Sequence, residues 1–291
     1  MTTFSFEAIG THWQIDIQDL LTMDQSQGLQ ERIHARIEEF DRAFSRFRDD
    51  SLVMRMSREA GTYPLPADGR SMFDLYQRIY HETNGAVTPL IGSLLVEAGY
   101  DAKYSLIPGE LHHPSKWEDI LDYKFPLLTL KQPALLDVGA LGKGELIDIV
   151  GRLIEDAGCR SFCVNAGGDI FYRSATDQPL RVGLEHPQNF SQVIGVAEVR
   201  NQSLCGSAGN RRAWGEFHHI MNPHTLSSPK HILSVWTVAE TTLLADAMAT
   251  CLFFVPASKL LQQHLFEYVI LYPDFSVEYS KGWPGEMFVS A

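Results

Sequence analysis

Residues 135–172, LLDVGALGKGELIDIVGRLIEDAGCRSFCVNAGGDIFY, read as strand, glycine-rich turn, helix, strand and a second glycine-rich turn. Leu135 and Leu136 end an apolar run. Asp137, Gly139, Gly142 and Gly144 then punctuate a turn, and Leu146, Ile147, Val150, Leu153 and Ile154 recur at helical spacing. Gly158 follows the last periodic residue as a C-terminal cap, and SFCVN is a short β-rich run closed by Gly167, Gly168 and Asp169. Glycine turns at the ends of neighbouring strands let backbone N–H groups approach an anionic ligand. DVGALGKG matches neither G-x-G-x-x-G nor G-x-x-x-x-G-K-[ST], so the usual dinucleotide and P-loop mechanics do not follow. A ligand loop and a pair of tight structural turns both satisfy the pattern.

Outward from this unit, residues 4–18 alternate as a strand pair turned at Gly10. Leu29, Ile33, Ile37, Phe40, Phe44 and Phe47 form one apolar helical stripe. It runs into SRFRDDS, where Arg46, Arg48, Asp49 and Asp50 read either as a solvated helix end capped by Ser51 or, around Phe47, as the edge of a pocket. A helix over 71–81 stops at Asn84-Gly85, and a proline-started helix begins at Pro89. Residues 101–124 read as a polar excursion, with His112 and His113 solvated. Strands are expected at 180–186 and 192–199, loops at 204–214 and 217–229, and a strand at ILSVWTVA. The apolar helix TTLLADAMATCLFFV follows, then a helix over 259–266 and strands at YVILY and SVEYS. With no repeat, low-complexity segment or linker, residues 1–291 are expected to form one domain.

The chain of 291 residues carries 24 basic and 36 acidic side chains, a formal net charge of −12. That balance disfavours nucleic acid or an anionic membrane as partner. No apolar run reaches the roughly 18 residues of a membrane span, and the N-terminal stretch has neither a basic nor an apolar signal region, so a cytoplasmic location is expected. Cys159, Cys163, Cys205 and Cys251 are scattered, as reduced core thiols would be; no second Cys/His pair matches Cys159 and Cys163 as a zinc site.

Asp246 and Thr250 stand i, i+4 among alanine, leucine, methionine, cysteine and phenylalanine, so on a helix both face one side. A buried carboxylate without a partner costs several kcal/mol or shifts its pKa. A hard cation with oxygen ligands resolves that cost, and so does a set of backbone amides at a helix start. His219 is either an ordinary surface histidine or, facing a phosphate site, a base toward a hydroxyl. Arg211 and Arg212 could brace phosphate oxygens.

Taken together and in order, Gly10-Thr11, SRFRDDS, Asn84-Gly85, DVGALGKGELID, NAGGD, GSAGNRR, HIMNPHTL and ADAMAT resemble the motifs of the ApbE-type FAD:protein FMN transferases. The resemblance spans about residues 9–252. It implies an α+β fold, with antiparallel sheets and packed helices around a central site. It also implies an enzyme that uses FAD as substrate with Mg²⁺, transferring the FMN moiety to a threonine hydroxyl of an acceptor protein and releasing AMP. By position, Asp246, Thr250 and the Ala140 carbonyl match the metal ligands, and His219 the family base. Ile9, Phe47, Ala86, Val87, Thr88, Asp137 and Lys143 match the FAD contacts. The chain departs from the family pattern at Asn222 (aspartate), Leu226 and Ala208 (glycine), Gly206 (threonine) and Thr88 (aspartate). Two alternatives share these residues: hydrolysis of FAD to FMN and AMP, and flavin binding without catalysis.

Overall fold

The computed structural model describes residues 1–288; residues 289–291, the end of the expected 1–291 domain, lie outside the described residues. The fold is α+β. Its centre is an eight-stranded sheet in the order Thr2–Ala8, Thr11–Ile17, Phe162–Ala166, Asp169–Arg173, Ser203–Ala208, Ser234–Ala239, Glu267–Leu271 and Val277–Tyr279. Every neighbouring pair is antiparallel.

Strand alternation explains what covers each face. Trp13, Ile15, Phe162, Val164, Phe171, Cys205, Val235 and Ile270 enter one core, with the apolar stripes of three helices. These are Met23–Phe44, Gly142–Asp156 and Thr242–Cys251. The intervening Ile170, Tyr172, Leu204, Val238, Val269 and Leu271 enter a second core on the opposite face. A three-stranded sheet of Leu180–His186, Asn189–Val199 and Gly285–Met287 closes it with Leu184, Ile194, Ala197 and Val199. The first strand pair lacks that second cover, and on its outer side His12 bonds Ser5 and Glu7 while the Asp16 carboxylate accepts from Thr3 and Gln14. A third small sheet, Gly61–Pro64, Leu127–Leu130 and Leu121–Lys124, flanks the helices.

Most expected elements form: the strand pair turned at Gly10, the Gly142–Asp156 helix ending before Gly158 at φ +87°, and the Phe162–Ala166 strand leaving through Gly167 and Gly168. Several differ. Leu135 and Leu136 form no strand; the segment is a buried connector beside Gly92, where a Cβ would lie 2.4 Å from the Leu135 carbonyl. Residues 204–208, read as the start of a small-residue loop, belong to a central strand, Ser203–Ala208. Their small size lets the Thr242–Cys251 helix and Trp236 lie close: a Cβ on Gly206 would stand 3.2 Å from the Trp236 ring. The excursion over 101–124 contains a short helix, Trp117–Ile120, and the strand Leu121–Lys124. The tail helix is one turn, Ala257–Leu260, with residues 261–263 continuing only as turns. All four cysteines are unpaired thiols, and no helix among the described residues is long and apolar enough to cross a membrane.

Two helices are fastened end to side. The Asp148 carboxylate on Gly142–Asp156 accepts hydrogen bonds from the backbone N–H groups of Thr242 and Leu243, at 2.8 and 2.9 Å. It thus caps the first turn of Thr242–Cys251 from outside, beside the helix's own cap, the Thr241 hydroxyl accepting from Leu244 N–H. One turn back, Gly144 N–H donates to Asp246 Oδ2 at 2.9 Å. Gly144 permits this approach, because a Cβ there would stand 2.5 Å from the Thr242 carbonyl oxygen and 2.9 Å from Asp246 Cβ.

Gly144→Ala is therefore expected to destabilise the fold by about 1–3 kcal/mol through overpacking, against a helix-propensity gain of about 1 kcal/mol. Denaturant midpoints decide the sign, and a more stable variant would show that the two helices part freely. Glu145, on the same helix, is 2 % exposed and accepts hydrogen bonds from the Ser71 hydroxyl and Arg152. Burial pushes its carboxyl up to about 7. The folded chain then holds this proton more tightly than the unfolded one, so the stabilisation is complete below about pH 4.5 and is lost as pH rises through 7. At about 1.4 kcal/mol per pKa unit the loss is about 3 kcal/mol. Stability measured from pH 4 to 8 is expected to fall less steeply for Glu145→Gln than for the wild type; parallel curves would exclude this titration.

Candidate active site

A cleft of about 620 Å³ opens between the helical layer and the strand ends, in the size range of small-molecule sites. Segments from all along the chain build it. After the Gly69–Glu82 helix, the Thr83 hydroxyl donates to Ile79 O and accepts from Val87 N–H, while Asn84 and Gly85 take positive φ. This turn sets Ala86, Val87 and Thr88 in the wall. The Thr88 hydroxyl then caps the Pro89 turn by accepting from Leu90 N–H at 3.2 Å. That is the work of a short polar side chain, and it gives Thr88 a local role where the family pattern has aspartate.

The Asp137–Lys143 loop enters next. Asp137 N–H donates to Pro89 O, and Asp137 Oδ1 accepts from Gly139 N–H at 2.7 Å, closing an Asx turn. Asp137, Gly139, Ala140 and Lys143 all line the cleft. The Lys143 ammonium pairs with the buried Asp169 carboxylate, whose other oxygen accepts from Gly206 N–H. In the Asn165–Gly168 hairpin turn, Asn165 Oδ1 accepts from Gly168 N–H. Gly167 meets the first strand pair so closely that a Cβ would stand 2.2 Å from the Thr11 hydroxyl.

Asp246 and Thr250 do share one side of Thr242–Cys251 and both line the cleft. Asp246 is 4 % exposed. Burial raises its carboxyl pKa, opposed by the charge of Lys143, the Gly144 N–H and the charge of Arg212. The amide bond thus leaves the desolvation only partly compensated. The donor set of one buried carboxylate, one hydroxyl and the Ala140 carbonyl region fits a hard divalent cation completed by phosphate oxygens and water. Among the described residues no group of three or more His, Cys, Asp and Glu side chains could hold a metal, so protein ligands alone would be few.

The adjacent histidines part where the short strand Phe217–His218 ends. His218 is buried, accepts Ile220 N–H on Nδ1 and pairs through Nε2 with the Pro229 carbonyl. His219 turns to the cleft and its buried Nδ1 has no hydrogen-bond partner among the described residues. Burial first, then the positive charge of Arg212, push its pKa down to about 3, so the imidazole is neutral at neutral pH. Half-buried in the cleft wall, it is not an ordinary surface residue. Asn222 Oδ1 accepts from His224 N–H at 2.8 Å and helps shape the following turn, in which Leu226 holds φ +54° where the family pattern has glycine.

Phe47, Ala86, Val87, Thr88, Asp137, Ala140, Lys143, His219, Asp246 and Thr250 all meet at this one cleft, with Arg211 and Arg212. Ile9 does not line it. Ile9 sits in the strand-pair turn at φ 45° and packs at the edge of the main core, leaving Gly10 and Thr11 to face the cleft. Tyr100, Glu185 and Trp236 also line it without any local sequence signal, since each arrives from an element whose own pattern is structural. Arg46, read as part of a charged helix end, is 5 % exposed and paired with Asp137. Arg48 is the surface residue, bonded to Asp50, Glu38 and Asp41.

The chain is similar over most of its length to known proteins. The chain is 24 % identical over 283 residues to the FAD:protein FMN transferase of Klebsiella pneumoniae (strain 342), covering 89 % of this chain and 79 % of that one. It is 27 % identical over 310 residues to the FAD:protein FMN transferase of Treponema pallidum (strain Nichols), covering 94 % and 85 %. In fold it is similar to the flavin transferase ApbE from Vibrio cholerae, with a TM-score of 0.80, 20 % identity and 96 % of each chain covered. It is similar likewise to the ApbE protein from Thermotoga maritima, with a TM-score of 0.81, 19 % identity and 96 % and 97 % covered. Residues 9–269 match the model of the ApbE family, and the chain belongs to that family.

Proposed function

We propose that this chain is an FAD:protein FMN transferase, acting as a single domain and transferring the FMN moiety of FAD, with Mg²⁺, to a threonine hydroxyl of an acceptor protein. The observation that carries this reading is the buried Asp246 carboxylate in a cleft that also holds Lys143, Arg212 and a neutral His219. Phe47 and Ala86–Thr88 would hold one end of FAD, and the Asp137–Lys143 loop its pyrophosphate. Asp246, Thr250 and the Ala140 carbonyl would hold Mg²⁺, which when bound shields pyrophosphate charge and stabilises the leaving group. Alignment of the acceptor hydroxyl with the FMN phosphorus opposite the AMP oxygen is a matter of positioning. The new Thr Oγ–P bond forms as the P–O bond to AMP breaks, and AMP leaves with the electron pair. His219, uncharged, would accept the hydroxyl proton. Asn222, occupied by the His224 amide, has a turn-forming role that does not depend on a carboxylate.

The decisive experiment incubates the protein with FAD and Mg²⁺, with and without a domain carrying an acceptor threonine, and separates AMP, FMN and protein-bound flavin. Metal-dependent covalent flavin on the acceptor is expected. Free FMN without acceptor labelling would identify a hydrolase, and intact FAD with binding seen by fluorescence a flavin-binding protein. Asp246→Ala is expected to abolish metal-dependent turnover, a loss of at least about 100-fold for a metal ligand; undiminished turnover would overturn the metal assignment. Because burial and Arg212 push the His219 pKa down to about 3 in the free protein, kcat/KM is expected to show no histidine limb between pH 5.5 and 8. A limb near 6.5 that vanishes in His219→Asn would contradict this environment.

A further inference from the structure

Resting on the flavin-transferase reading, we propose that Arg46 is a positioning residue of the FAD site, holding two cleft-lining side chains, Asp137 and Phe47, from behind the wall. The Met23–Phe44 helix ends at Ser45, whose extended backbone turns the chain inward, so that Arg46 is buried and Phe47 reaches the cleft at 38 % exposure. Arg46 itself does not line the cleft.

Two hydrogen bonds and two ring contacts fix its guanidinium. Nε donates to Asp137 Oδ2. Nη1 donates to the Tyr100 carbonyl at 2.7 Å. Its carbon stands 4.2 Å from the centre of the Phe47 ring and 4.8 Å from that of Tyr100, both within cation–π range. Only a planar, permanently charged fork can meet a carboxylate and a carbonyl in one plane while presenting its face to a ring. Asp137 is thereby held by two opposed partners, Arg46 on Oδ2 and Gly139 N–H on Oδ1. The orientation of the loop that carries Ala140 and Lys143 depends on that carboxylate. Arg46 also balances the Asp137 charge where an anionic substrate must approach, so its loss would leave a carboxylate uncompensated beside the pyrophosphate. Nη2 is buried and unpartnered among the described residues, which shows that the side chain is held by these contacts and not by a full complement of donors.

The test compares FAD affinity, KM and kcat for wild type, Arg46→Lys, Arg46→Met, Asp137→Asn and the double variant Arg46→Met/Asp137→Asn. Arg46→Met is expected to raise the Kd and KM for FAD about tenfold or more, with a much smaller change in kcat at saturating FAD. Arg46→Lys, which keeps the charge and loses the fork, is expected to fall between. In the Asp137→Asn background the Arg46→Met effect is expected to shrink severalfold, since part of its action runs through Asp137. If Arg46→Met misfolds, the double variant, which leaves no buried unpaired carboxylate, carries the comparison with Asp137→Asn alone. Unchanged FAD affinity in Arg46→Met, or an undiminished effect in the Asp137→Asn background, would overturn the proposal. Failure of the wild type to bind FAD would instead overturn the functional reading on which it rests.

Discussion

The Asp148 carboxylate, buried between two helices, is the contact on which the site's geometry depends. It accepts the first two amides of Thr242–Cys251 and so fixes where that helix starts. A negative charge at a helix N-terminus is favourable, and charge-assisted amide bonds are worth about 1.5–3 kcal/mol each. Yet burial raises the Asp148 pKa in spite of them. The arrangement is therefore costly in isolation and is kept in place by the surrounding pack of helices against the sheet. Fixing the helix start also fixes, one turn on, the distance from Gly144 N–H to Asp246, and with it the wall of the cleft that Thr250 shares.

The sheet completes that constraint from the other side. Because its later strands are buried on both faces, a residue pointing toward the helices and one pointing toward the small sheet are both immobilised, and strand ends become rigid posts. Asp169 stands on one such end, paired with Lys143 and accepting Gly206 N–H from the neighbouring strand. The loop that carries Lys143 is thus tied at three points: to Asp169, to Pro89 O through the Asp137 amide, and to Asp246 through Gly144. Glycine is required where such elements cross, as at Gly144 and Gly167, whose missing side chains admit the Thr242 carbonyl and the Thr11 hydroxyl.

Much of this was legible in the residues. The helical stripes, the glycine stops and the i, i+4 pair of Asp246 and Thr250 are local patterns, and the ordered motifs bring ten separate positions to one cleft. What local patterns could not carry were decisions made by distant neighbours. Residues 204–208 look like a loop because Cys205 and Gly206 are small, but they are small because a helix and Trp236 press on a strand there. Arg46 looks like a solvated helix end, and is buried because Asp137, ninety-one positions away, supplies its counter-charge. Ile9 lies in the turn itself, whose positive φ sends its side chain to the core edge and leaves Gly10 and Thr11 at the cleft.

The charge distribution shows why the cleft has its chemistry. The chain as a whole carries −12, yet its cleft gathers Lys143, Arg211 and Arg212 against Asp137 and Asp246. Lys143 is tied to Asp169 and Arg211 to Glu185, so each of these two local cations already has an anionic partner and offers an anion a fixed direction more than a free charge. Asp246 differs: its pKa is raised because one amide and more distant cations do not replace its lost hydration. On the proposed function, a cation held there together with phosphate oxygens would replace that lost hydration. Metal and substrate would then bind cooperatively, each supplying what the other lacks, and an arginine-held Asp137 keeps the neighbouring negative charge from opposing them.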